Sequence, residues 1–176
     1  MKIATYNVNS IRVRLPLLLP WLEAEQPDVL CLQETKVDDA AFPAEELRAA
    51  GYHAAFRGEG GRAGVAILSR QAPDDVSFGL DDDGPADEAR LAVAQFGELA
   101  VVNTYVPQGQ SVDAPAFQYK LEWFARLRRY FERRFSPAGM LIWAGDFNVA
   151  PEPIDVHAPR RLENYTDFHP AARAAL

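Results

Sequence analysis

Side chains that could bind a metal ion or a phosphate follow four apolar segments, each at the point where a predicted strand ends. They are Asn7, Glu34, Tyr105, and Asp146 together with Asn148. Ligands gather beyond the carboxyl ends of strands in layered α/β proteins, because side chains there leave the core but are still held by it. Short connections between the elements predict that these ends meet at one edge of the core.

The pair Asp146 and Asn148 depends on the backbone that follows its strand. The run 140–144 is continuously apolar and predicts a buried strand, which ends at Gly145. Because side chains alternate faces, Asp146 and Asn148 would project to the same side if the backbone stays extended beyond Gly145. A Gly-Asp turn that only caps a core strand is the alternative.

Two carboxylates in one site require a positive partner. If Glu34 and Asp146 approach to about 4 Å, their repulsion near a protein surface is on the order of 4 kcal/mol. The candidate ligands are oxygen atoms, with no cysteine or histidine cluster, which favours Mg²⁺ or Mn²⁺ over zinc. Such an ion keeps several waters and binds phosphate oxygens, so hydrolysis of a phosphoester is the reaction that fits best.

Chemistry suggests a role for each residue. We expect Glu34 to bind the metal, while Asn7 and Asn148 orient a phosphate or a water molecule. Asp146 would align or activate the attacking water, and Tyr105 would donate to a phosphate oxygen or to the leaving group. Structural explanations exist as well, since Glu34 can cap the next segment, Asn7 can bridge a turn and Tyr105 can be a core aromatic. Their shared placement favours the chemical interpretation.

The elements that must position these residues alternate between strand and helix. Strands are predicted over 2–8, 28–34, 52–57, 63–69, 90–96, 99–106 and 140–145, and helices over 11–26, 43–50 and 117–135, with a last helix from Pro170. Lys120, Arg126 and Arg129 belong to the predicted basic face of the longest helix. That face could touch nucleic acid, although solvation is the more ordinary explanation.

Two loops contain charged residues. The glycine-rich loop 58–62, with Arg57 and Arg62, could cradle a phosphate, but its spacing fits no nucleotide-binding fingerprint and favours a hairpin turn. Acidic residues concentrate in Asp81-Asp82-Asp83 and their neighbours, which are Asp74, Asp75, Asp87 and Glu88. This segment is interpreted as a solvated loop.

Composition limits the possible classes. A chain of 176 residues, 48% of them hydrophobic, predicts one domain. The net charge of −7 gives no overall attraction to nucleic acid, so a phosphate would need a local metal or arginine cluster. The single Cys31 predicts a reduced, buried thiol. No apolar run is long enough for a membrane span, and the N-terminus becomes polar too early for a signal peptide, which predicts a cytoplasmic protein.

Five segments of conspicuous composition follow one another along nearly the whole chain. They are Thr5–Ser10, Gln33–Val37, Gly64–Leu68, Asn103–Gly109 and Gly145–Pro151, and Asp155-Val156-His157 follows them. They resemble the successive motifs of the exonuclease III family of AP endonucleases, in the endonuclease/exonuclease/phosphatase superfamily. The resemblance implies a single four-layer α/β sandwich over 1–176, with two packed mixed sheets flanked by helices. It also implies a Mg²⁺-dependent DNA phosphodiesterase of base-excision repair. Such an enzyme cuts 5′ of abasic sites and has 3′-5′ exonuclease and 3′-phosphatase activity.

Carried over by position, the resemblance assigns Asn7 and Glu34 to the metal or phosphate and Tyr105 to the phosphate. Asp146 and Asn148 would position the nucleophile. At the DNA-binding surface it places Gln108, and we add Arg62 as a candidate substrate contact. The implied partner is double-stranded DNA with abasic sites or 3′ ends, bound by a monomer without a membrane.

The chain departs from the family in one respect. Family members continue further, adding strands of the second sheet, another aspartate and a Ser-Asp-His motif. The histidines here, His53, His157 and His169, have no such context. We therefore expect a C-terminally truncated domain with an incomplete second sheet; a second sheet supplied from elsewhere and a catalytically defective chain are the alternatives. A non-catalytic DNA-binding or interaction module, and a phosphodiesterase acting on a phospholipid head group, are the competing functions.

Overall fold

The computed structural model describes residues 1–84 and 88–176. They form two compact units, the first made of 1–105 with 137–146 and the second of 106–136 with 147–176. The single domain over 1–176 remains a prediction. Within the described ranges, no helix has both the length and the apolar character needed to cross a bilayer.

The first sheet of the first unit contains four strands in the order β1-β2-β4-β3. Their bounds are Ile3–Asn7 for β1, Val29–Gln33 for β2, His53–Glu59 for β3 and Arg62–Ser69 for β4. β1 runs parallel to β2, and β4 is antiparallel to both β2 and β3. Because Asn7 is paired with Gln33, the carboxyl ends of β1 and β2 reach the same edge of this sheet.

The second sheet also contains four strands among the described residues, in the order β5-β6-β7-β8. They are Asp75–Phe78 for β5, Leu91–Phe96 for β6, Leu99–Tyr105 for β7 and Met140–Asp146 for β8. The first three are antiparallel, and β8 runs parallel to β7 with Tyr105 opposite Asp146. Two predicted site residues are therefore direct neighbours at the ends of parallel strands.

Apolar side chains of the two sheets pack against each other. Cys31 and Ile67 from the first sheet share a buried cluster with Ala94 and Val101 from the second. Helix α1 (Ile11–Glu25), which is continuous across two prolines, and helix α2 (Ala44–Ala49) cover the other face of the first sheet. The predicted α/β class with two packed mixed sheets is confirmed.

Helices dominate the second unit. They are α3 (Pro115–Arg134), α4 (Pro159–Leu162) and α5 (Pro170–Ala175), with a single 3-10 turn over Pro153–Asp155. α3 packs on α5, where Phe117 meets His169 edge to face at 5.2 Å. The predicted amphipathic helix is confirmed, but the placement of Lys120 and Arg126 on its exposed basic face is wrong. Both are buried, Lys120 completely.

The prediction for the acidic segment was also wrong in part. Asp75, predicted to lie in a solvated loop, begins β5 and is opposite Gln95 of β6. β5 has only four residues, and its acidic neighbours hide its apolar content. Asp87, predicted for the same loop, lies outside the described residues. In the segment predicted to be irregular, the short helix α4 contains Arg160 and Arg161.

Candidate active site

One amide joins carboxylates from the two sheets of the first unit. Asn7, at the end of β1, donates from Nδ2 to Oε1 of Glu34 and to Oδ2 of Asp146, both at 2.8 Å. The two carboxylate oxygens are thus separated by no more than two hydrogen-bond lengths. The structure brings Asn7, Glu34 and Asp146 together, although 139 residues separate the first from the last.

Glu34 reaches this position through an unusual backbone. It follows β2 with a φ of 53°, and Lys36 has a φ of 52°, so both lie in the left-handed region. The segment is held between other elements, because the N–H of Ser10 donates to the Glu34 carbonyl at 2.8 Å and the N–H of Thr35 donates to the Gly64 carbonyl at 3.2 Å. A Cβ on Gly64 would lie 2.1 Å from Oγ1 of Thr35, so the approach of β4 requires glycine.

Lys36 is a site residue that the sequence reasoning missed. Its ammonium is 2.7 Å from Oε2 of Glu34 and donates to Oδ1 of Asn9 at 2.5 Å. Burial raises the pKa of Glu34, but bonds from Asn7, Lys36 and Tyr105 outweigh burial and hold that pKa below its usual value. Glu34 is therefore a carboxylate at neutral pH. The sequence did contain a signal for Lys36, because a lysine two residues after an acid at the end of a strand can reach back to that acid.

Tyr105 completes the cluster from the end of β7. Its hydroxyl is hydrogen-bonded to the Glu34 carboxylate. Burial, reinforced by the charge of Glu34, raises the pKa of Tyr105 to about 12, although Arg90 opposes the shift. The phenol therefore stays protonated at neutral pH and acts as a donor.

Arg90 supports Tyr105 and was also missed. Its guanidinium lies over the phenol ring, 4.7 Å from the centroid. Nη1 donates to the Tyr105 carbonyl at 3.2 Å, while the Tyr105 N–H donates to the Arg90 carbonyl at 2.7 Å. Arg90 also forms an ion pair with Glu88. No pattern in the sequence indicated this packing, because the contact joins the start of one strand to the end of the next.

Gly145 permits β8 to approach β7 closely enough to bring Asp146 beside Tyr105. Its φ is +139°, and a Cβ there would lie 2.0 Å from the Thr104 carbonyl oxygen. Trp143 adds a side-chain tie between the strands, since its Nε1 donates to Oγ1 of Thr104 at 2.8 Å. Any other residue at position 145 would push these strands apart.

Asn148 belongs to the second unit and does not continue the strand. β8 ends at Asp146, and Asn148 has a φ of 48°. The extended backbone needed for Asp146 and Asn148 to alternate is therefore absent, so this basis for pairing them was wrong. Within its unit, Asn148 donates from Nδ2 to the Val106 carbonyl at 2.9 Å.

Buried Lys120 organises the loops of the second unit. Its ammonium donates to the carbonyls of Asn148 at 2.6 Å, Thr166 at 2.8 Å and Gln108 at 3.3 Å. The side chain of Gln108, an exposed residue, also donates to Oγ1 of Thr166 at 3.1 Å. The sequence contained a signal for this lysine, because position 120 is three residues after Phe117 and lies on the apolar face of α3.

The remaining candidates have simpler surroundings. Arg62 is exposed at the start of β4, and the next residue, Ala63, accepts from the N–H of Lys36 at 3.1 Å. Arg62 therefore lies at the same sheet edge as Glu34. His169 caps α5, with Nδ1 accepting from the N–H of Ala171 at 3.2 Å, which is a structural role.

The donors present fit a hard divalent ion. Among the described residues, no group of three or more His, Cys, Asp or Glu is arranged around a common metal position. The cluster instead offers the carboxylates of Glu34 and Asp146 and the amide of Asn7, an all-oxygen set once the amide rotates. Mg²⁺ is commonly bound by one or two carboxylates with waters and substrate phosphate completing its shell.

Comparisons with known proteins extend over nearly the whole chain. Residues 4–174 match the model of the Endonuclease/Exonuclease/phosphatase family. Exodeoxyribonuclease III of Haemophilus influenzae is 36% identical over 161 residues, which are 89% of this chain and 60% of that protein. The chain thus spans about 60% of the length of this curated relative.

Two solved structures show the same fold. An AP endonuclease from Archaeoglobus fulgidus is 51% identical with a TM-score of 0.96, covering 99% of this chain and 68% of that one. The 3′ phosphatase NExo from Neisseria, bound to a product DNA hairpin, is 38% identical with a TM-score of 0.92 and the same coverage. The family match and these two likenesses establish that this chain belongs to the endonuclease/exonuclease/phosphatase family.

Proposed function

We propose that the chain carries the catalytic cluster of a Mg²⁺-dependent DNA phosphodiesterase of base-excision repair. The enzyme cuts 5′ of abasic sites and acts as a 3′-5′ exonuclease and 3′-phosphatase. The observation that carries the proposal is the Asn7 amide shared by Glu34 and Asp146 at 2.8 Å each. The similarity to an exodeoxyribonuclease III, an AP endonuclease and a DNA-bound 3′ phosphatase supports DNA as the substrate.

Each residue of the cluster has a separate proposed role. Glu34, and Oδ1 of Asn7 after rotation of its amide, would hold the metal, which would supply Lewis-acid polarisation of the phosphate. Tyr105, whose pKa is raised to about 12 by burial and by Glu34, would donate to a phosphate oxygen as charge develops there. Asp146, which lies opposite Tyr105 at the end of β8, would align the attacking water. The role of Asn148, to orient the phosphate or that water, is carried over from the family resemblance alone.

The second unit repels DNA less than the first one does. Acidic residues clearly outnumber basic ones in the first unit, whereas the two kinds balance at the surface of the second unit, because its Lys120 and Arg126 are buried. A phosphate backbone is attracted to local positive charge even when the whole molecule is acidic. Gln108, in the second unit, and Arg62, in the first, are proposed as substrate contacts. A cytoplasmic location and a monomeric state remain predictions.

The test is cleavage of a duplex with a single abasic site, with Mg²⁺ or with a chelator. This chain and a version extended to family length are compared. We expect a metal-dependent cut by the longer version alone. That cut should be lost in its Glu34→Ala and Asp146→Asn variants and retained in Glu25→Ala, a control acid bonded to Lys2 on the surface. Cleavage that survives the first two substitutions would refute the site. Duplex binding without cleavage by either version would favour the non-catalytic alternative.

A further inference from the structure

Two buried amides connect the sheets of the first unit directly beneath the cluster. Gln33 is the last residue of β2 and Asn103 lies within β7, and their side chains are 1% and 0% exposed. Nε2 of Gln33 donates to Oδ1 of Asn103 at 2.7 Å and to Oγ1 of Thr5 at 2.9 Å. This polar contact thus crosses the space between the two packed sheets.

Asn103 also bonds to two backbones of the opposite sheet. Its Nδ2 donates to the carbonyls of Leu32 in β2 at 2.8 Å and Ala66 in β4 at 2.9 Å. Both donor hydrogens and the acceptor oxygen of this amide are therefore used. Because each bond has a preferred direction, the pair fixes how β7 lies on β2 and β4. The apolar contacts around it, such as those of Cys31 and Val101, have no comparable directionality.

The same elements carry the cluster. Glu34 directly follows Gln33, and Tyr105 is two residues beyond Asn103 in β7, so the side chains of Asn103 and Tyr105 lie on one face of that strand. The Tyr105 hydroxyl bonds to Glu34. Two neighbouring contacts therefore join the sheets. The contact of Gln33 with Asn103 is buried, and the contact of Glu34 with Tyr105 lies at the site.

We propose that Gln33 and Asn103 are positioning residues, whose buried amide contact sets the distance and register between Glu34 and Tyr105. The proposal rests on the proposed function only in treating Glu34 and Tyr105 as site residues. A purely structural role would make the pair replaceable by apolar residues of similar shape. Double replacement of a buried hydrogen-bonded pair is often nearly neutral for stability. Positioning and stability can therefore be separated.

The experiment uses three variants, Gln33→Met, Asn103→Leu and the double variant, with Gln95→Met as control. Gln95 is a partly exposed glutamine of the second sheet that bonds locally to the Gly97 carbonyl. Chains are labelled with ¹³C at Cζ of tyrosine, and spectra are compared at one neutral pH. Tyr105 reports the contact with Glu34. Tyr52, whose hydroxyl donates to the Pro27 carbonyl at 3.0 Å, is an internal control in the same unit.

We expect the Tyr105 Cζ signal to move in all three variants, while the Tyr52 signal stays in place and thermal unfolding shows the double variant to be folded. Gln95→Met should move neither signal. An unchanged Tyr105 signal in folded variants, or equal movement of Tyr52, overturns the proposal. If Asn103→Leu or the double variant fails to fold, Gln33→Met decides, because it keeps both bonds of Asn103 to the backbone.

Cleavage separates this proposal from the proposed function. If the chain cuts abasic DNA, Gln33→Met should lower kcat by about 10- to 100-fold, as expected for a displaced catalytic group, while the Kd for duplex changes little. A weaker Kd with unchanged kcat contradicts the positioning role. If neither this chain nor the extended version cuts DNA, the proposed function is in question, but the tyrosine spectra still test whether the amide pair positions Tyr105.

Discussion

Replacement of Asn7 by alanine tests the shared amide most directly. The substitution removes two hydrogen bonds to carboxylates, each worth about 1.5–3 kcal/mol when the partner is charged. It also leaves Glu34 and Asp146 facing each other. At about 5 Å and an effective dielectric of about 20, their repulsion is on the order of 3 kcal/mol, which water and salt reduce. Because Asn7 is only partly buried, we expect a net loss of about 2 kcal/mol of unfolding free energy at pH 7.

The pH dependence distinguishes this cause from a general defect. The pKa of Glu34 is lowered in the folded chain, so its contribution to stability is present above its unfolded pKa of 4.5. That contribution is lost as the pH falls through the folded pKa. Asn7→Ala removes one of the bonds that lower this pKa. The difference between parent and variant should therefore be fully present at neutral pH and shrink below about pH 4.5.

The assay is urea unfolding from pH 3 to pH 8 with a chelator present. Glu34→Gln provides the partner for a double-mutant cycle. In the Glu34→Gln background, Asn7→Ala should lower the unfolding free energy clearly less, because the charge at position 34 that Asn7 stabilises is already gone. A loss that is independent of pH, or additive with Glu34→Gln, would refute the idea that Asn7 stabilises a pair of carboxylates.

Three further predictions concern other parts of the structure. Lys120→Met leaves the carbonyls of Gln108, Asn148 and Thr166 without their ammonium donor, so urea unfolding should show a loss of about 3 kcal/mol. Arg128→Met, at an exposed position of the same helix, should stay within about 0.5 kcal/mol of the parent, and equal effects would contradict the role of Lys120. Gly145→Ala places a Cβ 2.0 Å from the Thr104 carbonyl oxygen and should reduce soluble, folded protein severely, whereas Gly61→Ala meets nothing within 4 Å and should be nearly neutral in thermal unfolding. Tyr105→Phe should lower kcat for abasic DNA by about 100-fold, as for loss of one donor to the developing charge. Because burial and Glu34 raise the pKa of Tyr105 to about 12, the parent should show no loss of rate from this group between pH 8 and 10, and a decline that Tyr105→Phe removes would be evidence against it.

Local signals were sufficient for most elements. Apolar runs bounded by glycine and proline predicted seven of the strands, and the parallel neighbours β7 and β8 end at the predicted Tyr105 and Asp146. β5 was missed because four residues beginning with Asp75 give too short a pattern beside an acidic segment. Lys120 was misplaced because its charge was given more weight than its helical spacing.

Backbone conformation at the site could not be predicted. Glu34, Lys36 and Asn148 adopt left-handed conformations, which non-glycine residues enter only when surrounding contacts compensate the cost. For Glu34 and Lys36, those contacts come from the start of α1 and from β4. The rule of alternating side chains holds along a strand and fails where the backbone turns, as it does after Asp146.

The sequence by itself determined which residues end the strands of the core, because hydrophobic patterning and turn residues act over a few neighbouring positions. It therefore identified Asn7, Glu34, Tyr105 and Asp146 as candidates. Only the tertiary structure decided that a single amide nitrogen serves two carboxylates from different sheets. That contact joins residues 139 positions apart, and its length of 2.8 Å depends on how the two sheets pack, which short-range patterns do not encode.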